Sequence, residues 1–179
     1  MSKRVLVTGG SGMLGNALRE FLPNAVYISS SDCDLRDKQA VDSLFREVEP
    51  KKVIHMAARV GGVKANLERM GEFFFDNIMI NTNVLHAAYQ YKANKVLSLM
   101  STCVYPIAEC VSYPLTEDQL YSGKAHPSNF AYAYTKRMLD VQSRAYRLQY
   151  NCNFITAIPN NLYGPNDNFD LDNGHVVPA

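Results

Sequence analysis

No stretch of this chain is apolar for long enough to cross a bilayer as a helix. No signal-peptide pattern precedes Arg4-Val5-Leu6-Val7, which reads as a core strand. Neither sign of charge is in excess: 18 Lys and Arg stand against 17 Asp and Glu, for a net charge of +1, and they are scattered. That leaves no electrostatic footprint for nucleic acid or a membrane surface. Cysteine is sparse, and Cys33, Cys103, Cys110 and Cys152 show no metal-ligand spacing and no sign of pairing. No metal is therefore expected, and the thiols are expected to be reduced in a cytoplasmic protein. Internal repeats and low-complexity segments are absent. What remains is a chain of 179 residues with ordinary apolar and charged content, enough for one well-filled core.

The apolar pattern alternates between strand and helix. Residues 4–8 read as a buried strand. A glycine turn follows, then a helix with Met13, Leu14, Ala17, Leu18, Phe21 and Leu22 at helical spacing, stopped by Pro23-Asn24. Residues 25–28 form a second strand. Asp37 is a candidate N-cap for a helix with Ala40, Val41, Leu44, Phe45 and Val48 on one stripe. Residues 52–56 are a strand, followed by a loop at Gly61-Gly62 and a long helix over 72–90. Then come a strand at 95–100, a long loop over 101–130 with a short helix near Glu117, a helix carrying Tyr132 and Lys136, and a strand at 154–158. A loop of that length in a compact domain is usually functional. This order predicts an α/β fold, a doubly wound parallel Rossmann-type sheet flanked by helices. Such sheets bind ligands at the carboxyl ends of their strands, and Gly9, Ser101 and Pro159 all follow strand ends.

The turn Thr8-Gly9-Gly10-Ser11-Gly12-Met13-Leu14-Gly15 satisfies G-x-x-G-x-x-G from Gly9 and G-x-G-x-x-G from Gly10. After a strand and before an amphipathic helix, this pattern predicts a dinucleotide site with the pyrophosphate against free N–H groups. NAD sites usually carry a carboxylate at the end of the second strand. Here that end reads Ser29-Ser30-Ser31, which favours NADP, while the nearby Asp32 keeps NAD open. Asp34-Leu35-Arg36-Asp37 is similar to the acidic spot that contacts adenine in such folds, with a helix cap as the plainer role of Asp37.

Tyr132 and Lys136 are four apart and share a helix face. A phenol has a reference pKa of about 10, and an adjacent ammonium favours its anion. With the Ser101 hydroxyl holding a carbonyl oxygen, the trio suits proton transfer at a carbonyl whose carbon receives hydride. The expectation is that Lys136 lowers the Tyr132 pKa.

Together, T-G-x-x-G-x-x-G, S-x-x-x-Y-P from Ser101 and Y-x-x-x-K resemble the extended short-chain dehydrogenase/reductase family. Ala57-Ala58-Arg59-Val60-Gly61-Gly62, Ser101-Thr102-Cys103-Val104-Tyr105-Pro106, and Asn161 to Phe169 with Gly174-His175-Val176-Val177-Pro178 narrow the likeness. They resemble the branch that acts on GDP-4-keto-6-deoxy-mannose. The resemblance implies an NADPH-dependent 3,5-epimerisation and 4-reduction, with a GDP-sugar as the small-molecule partner. It implies Ser101, Tyr132 and Lys136 as the catalytic trio, and Cys103 and His175 as the acid–base pair at C3 and C5. The cofactor would meet Gly9 to Gly15 (Ser11, Met13 and Leu14 included), Ser29, Ser30, Asp34, Leu35, Ala57, Ala58, Asn77, Tyr132, Lys136 and Pro159. Asn161 and His175 would face substrate. His55, His86, His126, Cys33, Cys110 and Cys152 are expected to be structural.

The chain departs from the family at Pro159-Asn160-Asn161, where the family usually reads P-T-N. It also ends sooner. Residues 1–159 are expected to form the NADP-binding domain and 160–179 the start of a truncated substrate region. On that footing the chain alone is expected to bind NADP(H) weakly and form little product. Two other readings are another nucleotide-sugar epimerase or dehydratase of the same fold, and a dinucleotide-binding module without turnover. The sequence leaves oligomeric state open, a homodimer among the options.

Overall fold

The computed structural model describes residues 4–167 and 169. Five strands, β1 (Val5–Thr8), β2 (Val26–Ile28), β3 (Lys52–His55), β4 (Lys95–Leu99) and β5 (Phe154–Ala157), form one parallel sheet in the order β2-β1-β3-β4-β5. The order reverses between β1 and β3, which is the switch point where open α/β sheets bind ligands.

The helices are α1 (Met13–Phe21), α2 (Lys38–Val48), α3 (Val63–Glu68), α4 (Met70–Gln90) and α5 (Phe130–Tyr150). Asp37 caps α2, its Oδ1 accepting from the amides of Gln39 at 2.8 Å and Ala40 at 3.4 Å. The predicted stripe on α2 is buried at Val41, Phe45 and Val48. Helix α4 packs against both α2 and α5.

The sheet register builds two rows across one face. Leu6, Val53, Val96 and Phe154 are register partners in turn, and all four are buried. Two residues further along, Thr8, His55 and Ser98 are partners, again buried. Successive side chains on a strand alternate faces, so both rows point the same way. The covered face thus changes from apolar to polar as it nears the carboxyl edge.

The structure differs from the sequence reading in detail. The segment after Gly62 is not loop: α3 occupies it, and α4 starts at Met70 rather than Glu72. Strand β2 lacks Ala25, and β3, β4 and β5 each stop one residue short of the expected end. Phe21 is 77% exposed, because α1 meets the turn beneath it through Gly15 and its last turn runs clear of the core. The long loop carries three 3₁₀ turns, Thr102–Val104, Ala108–Cys110 and Glu117–Tyr121.

Candidate functional site

The glycine turn leads from β1 into α1. Gly9 has φ +75°, a backbone conformation that side chains other than glycine's rarely adopt. At Gly15 an added Cβ would stand 2.6 Å from the Gly9 carbonyl oxygen and 2.7 Å from Gly10 backbone. The helix can therefore seat on the turn only without a side chain there. Gly12 precedes α1 and supplies no side-chain cap, which leaves the first N–H groups of the helix to an incoming anion.

A cleft of about 740 Å³ opens at the switch point. Of the predicted cofactor residues, Gly9, Ser11, Gly12, Met13, Leu14, Ser29, Ser30, Asp34, Leu35, Ala57 and Ala58 line it. Gly10, Gly15, Asn77, Tyr132, Lys136 and Pro159 are not on its wall. Gly10 is packed on β2, its amide donating to Ile28 O at 2.7 Å. The Asn77 side chain is buried and spent on the protein: Oδ1 accepts from the Arg59 amide, and Nδ2 donates to the carbonyls of Arg59 and Phe73. It shapes the loop after β3 rather than facing the cleft.

The cleft wall also holds residues not expected to meet the cofactor. Arg36 and Arg59 both pair with Asp76 of α4, and Arg36 also holds Asp34 at 2.8 Å. Arg36 keeps Asp34 below the usual carboxylate range, its guanidinium and its backbone amide both donating to the Asp34 carboxylate. Leu162, Asn166 and Asp167 reach the same wall from beyond β5. Asp32 does not line the cleft: its carboxylate accepts from the Ser29 amide at 2.8 Å and hydroxyl at 2.6 Å, which lowers its pKa.

Next to the cleft, the polar row continues as a chain of hydrogen bonds whose direction follows from donor counting. Thr8 Oγ1 accepts from the amides of Met56 and Ala57, so its hydroxyl proton goes to His55 Nδ1 at 2.8 Å. His55 Nε2 then donates to Asn81 Oδ1 at 3.1 Å, and Asn81 Nδ2 donates to the Thr135 carbonyl on α5. Burial, aided by the Lys136 charge, holds the His55 pKa down to about 3, so the ring is neutral. Sequence reading treated His55 as inert. The usable signal was its place at the end of the strand next to the glycine turn.

Lys136 is buried, and its Nζ donates to the Leu99 carbonyl at 2.9 Å. Burial pushes its pKa down to about 8, with the Cys103 sulfur acting the other way. The ammonium stands 5.8 Å from the Tyr132 ring centroid. The expected lowering of the Tyr132 pKa is not what the structure gives. Burial pushes the phenol up, Cys103 adds to the rise, and Lys136 is not among the causes.

Ser101 precedes the first 3₁₀ turn, and its Oγ accepts from the Cys103 amide at 3.4 Å, leaving the hydroxyl proton free. Cys103 Sγ accepts from Asn129 Nδ2 at 3.1 Å. Arg137, buried on α5, ties the loop down by donating to the carbonyls of Val104 at 2.7 Å and Gly123 at 3.0 Å. Asn161 is exposed beyond β5, and His175 lies outside the described residues. Among the described residues no helix is long and apolar enough to cross a membrane, and no His, Cys, Asp or Glu cluster could hold a metal.

A parallel sheet with this switch point and a glycine turn into an uncapped helix define a dinucleotide-binding α/β protein. The chain matches the NAD dependent epimerase/dehydratase family over residues 5–179, and it belongs to that family. It is 45% identical to the GDP-L-fucose synthase of Dictyostelium discoideum, over 99% of this chain and 58% of that protein. It is 39% identical to a probable GDP-L-fucose synthase of Drosophila melanogaster, over 99% of this chain and 57% of that protein. A GDP-L-fucose synthetase from Naegleria fowleri, solved bound to NADP, superposes with a TM-score of 0.90 at 40% identity, over 99% of this chain and 59% of that one. The chain thus spans a little over half the length of these relatives.

Proposed function

We propose that this chain is the cofactor-binding and catalytic part of an NADPH-dependent enzyme that converts GDP-4-keto-6-deoxy-mannose to GDP-L-fucose. The observation that carries the reading is the convergence at the end of β4 of the Lys136 ammonium, anchored on the Leu99 carbonyl, with Ser101 and the Cys103 thiol just beyond it, at the same sheet edge as the glycine turn. Kinship with GDP-L-fucose synthases over nearly the whole chain supports the GDP-sugar.

The cleft fits a dinucleotide. Its volume lies within the usual range for small-molecule sites, about 300–1,000 Å³. Ser29 and Ser30 line the end where the second ribose would lie, and Asp32 is turned onto Ser29. Hydroxyls without an inward carboxylate favour NADP over NAD. Residues from 160 onward begin the substrate side in this reading, with 1–159 as the cofactor domain.

A 4-keto group acidifies the hydrogens at C3 and C5. Cys103 removes and returns one such proton as a general acid–base group. His175 is assigned the opposite face. When bound, the nicotinamide supplies hydride to C4. Ser101 donates its free hydroxyl proton to the C4 oxygen and holds it. Tyr132, kept protonated by burial, gives its proton to that oxygen as it becomes an alkoxide, which is more basic than a phenolate. Lys136 has further ammonium hydrogens beyond the one on Leu99, and these can hold a ribose hydroxyl.

The test is turnover in a full-length context with GDP-4-keto-6-deoxy-mannose and either NADPH or NADH, with products separated by chromatography. GDP-L-fucose formed with NADPH is expected. A 4-epimer without net cofactor oxidation would instead favour a simple epimerase, and cofactor binding without product would favour a binding module.

A further inference from the structure

Asn129 and Cys103 lie 26 positions apart in sequence and side by side in space. Asn129 occupies the N-cap position of α5 but makes no side-chain cap bond, although asparagine is among the best caps. Its Nδ2 is given to Cys103 Sγ at 3.1 Å instead. Its Oδ1 is buried and, among the described residues, has no partner. A buried oxygen left unpaired costs about 1–3 kcal/mol, and native proteins keep few of them. The side chain forgoes both its cap and its second hydrogen bond for one contact with sulfur.

Tethering the loop to α5 does not explain this. Arg137 already performs that task through two carbonyls of the loop, at Val104 and Gly123. From α5, the titratable groups that face the sulfur are Tyr132 and Lys136. Neither is hydrogen-bonded to it, and Lys136 is anchored on Leu99.

We infer that Asn129 is the positioning residue that equips Cys103 for proton transfer, its amide serving the sulfur in both protonation states. The inference rests on the acid–base reading of Cys103 given above. A thiolate only accepts, whereas a thiol is a weak donor. A carboxamide carries donors on one side and an acceptor on the other. With Nδ2 toward the sulfur it stabilises the thiolate. A half turn of the amide brings Oδ1 round to accept the S–H, and that oxygen is the one now without a partner. The sulfur can then take and return a proton without moving the backbone of either segment.

The test is alkylation of Cys103 by iodoacetamide as a function of pH, resolved from the other three cysteines by peptide mass spectrometry. Only the thiolate reacts. Asn129→Ala is expected to move the pH midpoint for Cys103 upward by about one to two units, the size of a hydrogen bond to a charged group. The isosteric Asn129→Asp is expected to move it up at least as far, because a carboxylate repels the thiolate and offers no N–H. Cys33, Cys110 and Cys152 report on folding in the same samples and should keep their profiles. An unmoved Cys103 midpoint in both variants overturns the inference. So does faster alkylation of all four cysteines in both, which would make Asn129 a purely structural residue. Turnover is not read, so failure here leaves the proposed reaction standing, and failure of the proposed reaction leaves this result intact.

Discussion

Lys136 Nζ donates to the carbonyl oxygen of Leu99 at 2.9 Å, so helix α5 is anchored through its charge to the last residue of β4. This bond fixes where the ammonium sits relative to Ser101, two residues further along the chain. It also needs the proton. Burial brings the Lys136 pKa down to about 8. A base is charged below its pKa, so the ammonium is present at neutral pH and is lost as pH rises through 8. The rate of NADPH-dependent reduction should therefore fall on the alkaline side with a midpoint near pH 8. A steady-state pH profile checks this. A profile flat up to pH 10 would remove the charge of Lys136 from the mechanism.

Gly12 and Gly15 should part ways on substitution. A Cβ at Gly15 would meet only backbone, at 2.6–2.7 Å, so Gly15→Ala should cost about 1–3 kcal/mol of stability or more. At Gly12 the nearest atom is the Gly9 oxygen at 3.4 Å, an ordinary contact. Gly12→Ala should fold like the parent and lose cofactor affinity, because the added methyl occupies the approach to the α1 N-terminus. Urea denaturation and a nicotinamide fluorescence titration separate the two effects. Equal affinity for NADPH in Gly12→Ala would place the pyrophosphate elsewhere.

How much of this was legible beforehand follows from what each residue interacts with. The turn at Gly9–Gly15, the Asp37 cap and the order of strands are local patterns, and the structure has them where the sequence put them. The Tyr132–Lys136 spacing was also readable, since residues four apart on a helix share a face. The direction of the Tyr132 shift was not. It depends on the depth of burial and on Cys103, 29 positions away, and neither leaves a trace in a four-residue spacing. His55, Asn81, Asn129 and Arg137 went unread for a related reason. Each acts through partners from 14 to 54 residues distant, among them the bonds from Asn81 to Thr135 and from Asn129 to Cys103. Helix α3 was lost to its glycines: Gly61-Gly62 signals a break, and the six helical residues after it are too few to show a period.

The neutral His55 ring makes an acid-side prediction. Its pKa is about 3 in the folded chain against 6.5 as the ordinary value. Between those limits the unfolded chain binds the extra proton and the folded chain does not. Its contribution is thus fully present above pH 6.5 and is lost as pH falls toward 3. The slope is about 1.4 kcal/mol per pH unit where the difference is complete. Stability from urea curves should decline from pH 6.5 to 4.5, before most carboxylates titrate. His55→Gln should be less stable at pH 7 and show a flatter decline over that window. An unchanged slope in the variant would mean that His55 charges in the folded state.

The most direct test of the central claim separates the two chemistries assigned to the one site. Solvent deuterium uptake into GDP-4-keto-6-deoxy-mannose reports proton removal at C3 and C5, while oxidation of NADPH reports reduction at C4. In a full-length context, Cys103→Ser should slow deuterium uptake by about 10²–10⁴-fold, the usual worth of an acid–base group, with cofactor affinity nearly unchanged. Tyr132→Phe should keep uptake and lose reduction. The account predicts that crossed pattern in mass spectra and cofactor oxidation measured on the same samples. Normal uptake in Cys103→Ser, or normal reduction in Tyr132→Phe, would contradict it.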